Sequence, residues 1–189
     1  FSGLPEKLRN ISLRLEELIE NGLKASVLRE GAGIVLLGRP NAGKSSLLNA
    51  LLGRERAIVT DIAGTTRDIL EEPAVICGVP VRLTDTAGLH DTRDAVEAIG
   101  ILRAREAAAN ASLLLVVLDG GEPMSLEDAA VLDETRAMPR ILVICKGDLA
   151  PKLQPGQLGG TDAVITVSAR SGEGMEALKN EIARRIDPG

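Results

Sequence analysis

The segment "GIVLLGRPNAGKSSLLNAL", Gly33 to Leu51, decides how the rest of the chain is read. Its middle, Gly38 to Ser45, matches G-x-x-x-x-G-K-[ST]. It follows an apolar run of strand length, Ile34 to Leu37, and opens a helical run to about Leu52. Strand, glycine-rich turn and helix in that order are the context a phosphate-binding loop requires. Small residues let backbone N–H groups curl around a β-phosphate, and the helix N-terminus adds a favourable dipole. Asn41, Ala42, Gly43, Lys44, Ser45 and Ser46 are therefore nucleotide-binding candidates. Lys44 would reach the β- and γ-phosphates, and Ser45 would ligate Mg²⁺.

Downstream, strands and helices alternate, which predicts an α/β sandwich with ligand at the carboxyl ends of the strands. Residues 69–77 and 79–85 read as two strands joined near Gly78 as a hairpin. Glu97 to Asn110 is helical, Leu113 to Leu118 a strand, Leu126 to Ala137 a helix and Ile141 to Ile144 a strand. Residues 149–161, with two prolines and three glycines, read as a loop. Ala163 to Val167 is the last strand and Glu173 to Ile186 the last helix. Before this unit, Leu4, Leu8, Ile11, Leu15 and Leu18 make an apolar stripe at helical spacing, and a second helical stretch runs from Leu23 to Glu30. We divide the chain into a helical segment, 1–30, and a nucleotide-binding domain, 31–189. The stripe either packs on the domain that follows or belongs to a helical module mostly outside this chain.

The stretch "LTDTAGLHD", residues 83–91, fits a DxxG switch: Asp85 ends a strand, where a carboxylate can hold Mg²⁺ through water, and Gly88 can offer its N–H to a γ-phosphate. In many nucleotide hydrolases a glutamine soon after that glycine orients the attacking water. Here the next glutamine is Gln154, far along the chain. The base reader falls in "ILVICKGDL", where Asp148 can accept from both N1–H and the 2-amino group of guanine, a pair adenine cannot supply. Lys146 can lay its stem along the base. Cys145 stands where an Asn or Thr would lead the motif, and a thiol is a weak hydrogen-bond partner, so guanine selectivity should survive through Asp148 with looser affinity. In "VSARSGEG", Ser168-Ala169-Arg170 is SAK-like, and the Ala169 N–H could meet guanine O6.

Bulk composition narrows the remaining classes. The chain has 189 residues, 44% hydrophobic and 26% charged, with formal net charge −5, enough for one domain with a sizeable core. No apolar run approaches the roughly 20 residues of a membrane helix. One Phe, no Trp and no Tyr leave little for basic or stacking contact with nucleic acid; a nucleic-acid substrate would be held by another domain. Cys77 and Cys145 lack ligand-like spacing, which argues against structural zinc and leaves a reduced cytosolic pair or a disulfide. The chain begins at Phe1 and reads as a piece of something longer.

Taken together, "GRPNAGKSSLLNAL", "IVTDIAGTTRD", "DTAGL" with "VEAIGI", and "SARSGEG" resemble the G domain of the MnmE (TrmE) tRNA-modification GTPases over about residues 23–186. Era-like and EngA-like GTPases share the general pattern; GTTRD followed by DTAGL and Glu97 points to MnmE. The resemblance implies a Ras-like P-loop GTPase fold, a six-stranded mostly parallel sheet with helices on both faces, plus the N-terminal helical segment. It implies GTP hydrolysis to GDP with Mg²⁺, stimulated by K⁺ and dependent on dimerisation through the switch face. Glu97 matches the family's water-orienting glutamate; without that resemblance it reads better as a first-turn helix glutamate that merely complements the dipole. Asn41 resembles the family's potassium ligand, and Thr60 to Gly64, including Ile62, its potassium loop. Thr66 matches the switch contact to Mg²⁺ and γ-phosphate, which puts it with Lys44, Gly88 and Glu97 in the catalytic set. Arg67 stands in the same switch pattern and reads as structural or as part of the dimer face. His90, where an arginine is common, reads as solvated.

By the same resemblance the intact protein is cytoplasmic and works with the flavoprotein MnmG (GidA) on the wobble uridine of tRNA, through domains absent from this chain. Rival readings are a ribosome-assembly GTPase of the Era or EngA kind and a nucleotide-gated binding module with negligible hydrolysis. An ATPase is disfavoured by Asp148.

Overall fold

The computed structural model describes residues 31–53, 71–86, 110–158 and 162–186, together with Arg14, Ala108 and Gly160. Strand β1 (Ala32–Leu37) lies in parallel between β3 (Val79–Asp85) and β4 (Leu113–Asp119). Beyond β4 come β5 (Arg140–Cys145) and β6 (Ala163–Thr166), both parallel. On the other side β2 (Glu71–Ile76) closes the edge antiparallel to β3. The described strands thus form one sheet of six in the order β2-β3-β1-β4-β5-β6. Pro73, which has no N–H to donate, sits in β2, an edge strand, where that loss is tolerated.

The sequence accounts for this arrangement. All seven residues of β4 are buried, because an interior parallel strand is covered on both faces and needs a continuous apolar run. Ile34, Leu36, Leu115, Val117 and Val143 face Leu47 and Leu51 of helix α1 (Lys44–Leu52) and Leu178 and Ile182 of helix α3 (Met175–Ile186). Val116, Leu118, Leu142 and Ile144 face the other way, against Val131 and Leu132 of helix α2 (Leu126–Glu134) and Leu153. Helices therefore cover both faces, as the fold class requires. The β2–β3 turn uses two successive left-handed residues, Cys77 at φ 50 and Gly78 at φ 86, as a two-residue hairpin turn demands.

The predicted boundaries shift in several places. Strands β1 and β5 extend a residue or two beyond the apolar runs that announced them, so Cys145 is the last residue of β5 rather than the first of a loop. The helix expected over Leu126–Ala137 ends at Glu134. The cause is tertiary: the Thr135 hydroxyl donates to the Val131 carbonyl, and buried Arg140 donates to the Leu132 carbonyl and to Thr135 Oγ1, so the last turn is capped from β5. Asp162 in turn accepts from Arg140 at 2.8 Å. The loop expected over 149–161 contains a short 3-10 turn, Pro155–Gln157. Ala108 and Asn110 of the expected 97–110 helix are helical. The calls on 4–21, 23–30 and most of 97–110 lie outside the described residues.

Leu142, 1% exposed at the centre of β5, gives a direct test of this core. Leu142→Ala should cost about 2–5 kcal/mol in equilibrium urea unfolding. Leu126→Ala, at a side chain that is 90% exposed, should stay within about 0.5 kcal/mol of the unaltered chain.

Candidate functional site

The register of the sheet brings the chemistry to one edge. Leu36 pairs with Asp85, Leu37 with Val116, and Asp119 with Cys145. The carboxyl ends of β1, β3, β4 and β5 thus lie side by side. The chain leaves β1 toward one side of the sheet and β4 toward the other, so the loop after β1 sits where a parallel sheet opens a crevice for ligand.

That loop is shaped by close approach. Gly38 packs so tightly that a Cβ would collide with the Val117 carbonyl oxygen of β4. Gly43, at φ 110, caps α1, and a Cβ there would stand 3.1 Å from the Cβ of Cys145. Asn41, exposed at the tip, takes the left-handed conformation (φ 62) that Asn tolerates better than most residues. Ala42 is buried beneath it, while Ser45 and Ser46 open to solvent. No side chain caps α1, and its first turn holds no acidic residue. Helix α2 is the opposite: Ser125 and Asp128 form a reciprocal capping box, with Glu127 adding negative charge. One helix start is satisfied internally, and the other leaves its N–H groups and positive dipole end for an anion.

Lys44 is 5% exposed, and its ammonium donates to the carbonyls of Gly38 (2.8 Å) and Arg39 (2.9 Å). An ammonium has three donors, so these two bonds aim the third. Burial lowers the Lys44 pKa, and the negative charge of Asp85 opposes that shift. The Ser45 hydroxyl donates to Asp85 Oδ2 at 2.7 Å. A serine hydroxyl and a carboxylate at that separation are hard oxygen donors that suit Mg²⁺. Among the described residues no group of three or more His, Cys, Asp or Glu side chains gathers. Thr86 donates to the Leu36 carbonyl at 2.8 Å and ties the end of β3 to β1.

The second half of the site lies after β5 and β6. Ser168, 1% exposed, donates to Asp148 Oδ1 at 2.8 Å, and its hydroxyl accepts from the Ser171 N–H at 3.1 Å. The Ser168 hydroxyl, above all, holds the exposed Asp148 carboxyl below its ordinary pKa. A fixed, ionised carboxylate can accept two donors on one edge of a base. Lys146, in left-handed conformation (φ 61), gives its ammonium to Asp119 Oδ2 at 2.6 Å. Asp119 is a residue the motif reading missed. Its signal is a carboxylate ending the apolar run Leu113–Leu118, but only the β4–β5 register reveals its partner. Ala169 is partly buried and Arg170 exposed beside Ser168. Cys145 is buried against Gly43; burial, with Asp119 nearby, pushes its thiol up to about 12 against the opposing charge of Lys146. Thr60, Ile62, Thr66, Arg67, Gly88, His90 and Glu97 lie outside the described residues.

An open helix start with a buried lysine, a Ser–Asp pair beside it and a positioned carboxylate across the sheet edge define a P-loop domain of the GTPase class. The chain belongs to the family described as 50S ribosome-binding GTPase, whose model matches residues 33–146. It is 43% identical over 183 residues to the tRNA modification GTPase MnmE of Enterococcus faecalis, covering 95% of this chain and 39% of that protein. With the MnmE of Latilactobacillus sakei it shares 45% over 184 residues, 96% of this chain and 40% of that one. It therefore spans about two fifths of the length of the curated relatives it matches. The G domain of the T. maritima FeoB iron transporter superposes with a TM-score of 0.60 at 28% identity, covering 82% of this chain and 98% of that one. The Ras-like GTPase fold and the likeness to MnmE expected from the motifs are both found.

Both cysteines are free, Cys77 exposed and Cys145 buried. At pH 8 a thiol with pKa about 12 holds only ~10⁻⁴ of its population as thiolate, the reactive form. Iodoacetamide should therefore label Cys77 alone in the folded chain and reach Cys145 only in urea, as read by peptide mass.

Proposed function

We propose that this chain is the GTP-hydrolysing domain of a tRNA-modification GTPase. The observation that carries the reading is the meeting, on one sheet edge, of the uncapped α1 start around Lys44 and the Asp148 carboxylate fixed by Ser168. Phosphates belong at the first and guanine at the second. In this reading the N–H groups of residues 41–46 and the Lys44 ammonium take the β- and γ-phosphates. Asp148 accepts from N1–H and the 2-amino group, Ala169 offers its N–H to O6, and Lys146, tethered by Asp119, lies along the ring. Cys145 packs there without adding a strong hydrogen bond.

Ser45 and Asp85, already within bonding distance, are the residues to hold Mg²⁺ with Thr66. When bound, Mg²⁺ neutralises charge on the β- and γ-phosphate oxygens. Asn41 with the carbonyls of Thr60 and Ile62 would hold K⁺, which supplies positive charge near the transferring phosphoryl group, the place an arginine finger occupies elsewhere. Glu97 accepts a hydrogen bond from the attacking water and aligns it, and Gly88 gives its N–H to the γ-phosphate. Water attacks phosphorus, the bond to the β-phosphate oxygen breaks, and GDP and inorganic phosphate leave. Two copies meeting through their switch faces would exclude bulk water. In the intact, cytoplasmic protein this cycle would serve wobble-uridine modification of tRNA with MnmG (GidA), through parts of the protein beyond this chain. The likeness to relatives named for tRNA modification supports that assignment.

The deciding experiment is GTP turnover over a protein-concentration series in KCl and in NaCl at equal ionic strength. Turnover per molecule should be faster in K⁺ and rise with concentration. Glu97→Ala should slow it by about 10²–10⁴-fold, the usual worth of a positioned acid–base group, with GTP binding retained. Equal, slow rates in both salts and in Glu97→Ala would instead favour a nucleotide-gated binding module.

Asp148→Asn should exchange one acceptor for a donor at the base. GTP affinity should fall by roughly two orders of magnitude, as expected for losing hydrogen bonds to a charged acceptor. Xanthosine triphosphate, which carries an oxygen where guanine has its 2-amino group, should gain over GTP in competition binding.

A further inference from the structure

Arg39 is the second residue of the phosphate loop, and the P-loop pattern places no demand on its side chain. Its backbone carbonyl is a pivot of the loop, accepting from Lys44 Nζ at 2.9 Å and from the Ala42 N–H at 3.3 Å. Its side chain leaves the loop and runs to the start of α2, where Nε stands 3.5 Å from Asp128 Oδ2. Asp128 is 3% exposed and cannot swing away. Its Oδ2 accepts from the Ser125 N–H at 2.9 Å and the Ser125 hydroxyl at 2.8 Å, while its own N–H donates back to Ser125 Oγ at 3.1 Å.

This contact is a poor choice for stability alone. Among the described residues, Arg39 Nε and Asp128 Oδ1 are buried with no hydrogen-bond partner. Arg39 is only half-buried, and an ion pair of this kind with unsatisfied atoms beside it adds little net stability. What it does supply is position, since a carboxylate locked by a capping box makes a rigid anchor. The loop is then fixed on two sides, by Gly38 against the Val117 carbonyl and by Arg39 against α2.

We propose that Arg39 and Asp128 form a positioning pair that holds the carbonyls of Gly38 and Arg39 in place, so that the Lys44 ammonium is aimed at the β- and γ-phosphates. The inference rests on the reading of this loop as a GTP site.

The test uses the full chain in four forms: Arg39→Ala, Asp128→Asn, the double variant and Ser125→Ala. Asp128→Asn keeps an oxygen for the helix cap and removes the charge. Binding of fluorescent GTP and GDP is measured directly, and GMP, which lacks the phosphates Lys44 meets, by competition. Thermal unfolding is followed in parallel. Each single variant should weaken GTP and GDP by about tenfold and leave GMP unchanged, and the double variant should be no weaker than either, because both remove one interaction. Ser125→Ala, which unlocks the Asp128 anchor, should lower Tm and weaken GTP and GDP no more than Asp128→Asn does, again leaving GMP unchanged. The inference is overturned if GTP affinity is unchanged in Arg39→Ala, if GMP weakens in step with GTP, or if the two losses multiply toward a hundredfold. Failure of the unaltered chain to bind GTP would overturn the reading of the site itself, and this inference with it.

Discussion

The backbone N–H groups at the start of α1 have no partner inside their own helix, and the surrounding structure is organised around that deficit. A helix start is ordinarily completed by a serine, threonine or carboxylate, as Ser125 and Asp128 complete α2. At α1 the preceding residue is Gly43, which offers nothing, and the first turn carries Lys44 and two serines in place of acids. Such groups are left to water or to an anion that displaces it. The sheet supplies the setting: β1 ends beside β4 at the point where the chain's connections diverge, the switch point at which an open α/β sheet takes its ligand. Gly38 against Val117 and Gly43 against Cys145 mark how closely the backbone must pass to present those groups.

The contact between Gly43 and Cys145 also joins the phosphate half of the site to the base half. An amide at position 145 could link the two by hydrogen bonds; a buried thiol pushed up to about 12 links them by packing alone. The base half compensates with charge. Asp119 holds Lys146, and Ser168 holds Asp148 ionised below the usual carboxylate range. Orientation there depends on side chains anchored from neighbouring strands and loops, so it is set by sheet register and not by residue 145.

How much of this was legible in the sequence depended on distance along the chain. The P-loop could be read because strand, turn and helix are contiguous and each small residue has a local steric reason. The buried run Leu113–Leu118 announced an interior strand for the same kind of reason. The pairings of Asp119 with Lys146, Arg39 with Asp128, and Arg140 with Asp162 could not be read. Each joins residues whose meeting is fixed only once strands align, and no spacing rule carries that information. The end of α2 was misplaced on the same account. Propensity alone favours continuing through Ala137, but Arg140, arriving from β5, takes the Leu132 carbonyl.

The groups described so far share a property that bears on catalysis. In the proposed reading, Asp148, Ser168, Lys146 and most of the α1 start address the base and the β-phosphate, which GTP and GDP have in common. Interactions made equally with substrate and product tighten binding without lowering the barrier between them. A domain built from these alone would hold either nucleotide and turn over slowly. Acceleration must come from groups that meet only the γ-phosphate and the incoming water. In the proposed mechanism these are the third N–H of Lys44 together with Thr66, Gly88 and Glu97. Lys44 is the one residue common to both sets. A small error in its direction would weaken GTP and GDP alike and would also misalign the charge that develops on the transferring phosphoryl group. That is a physical reason to anchor the two carbonyls that hold its ammonium from two different elements of the fold.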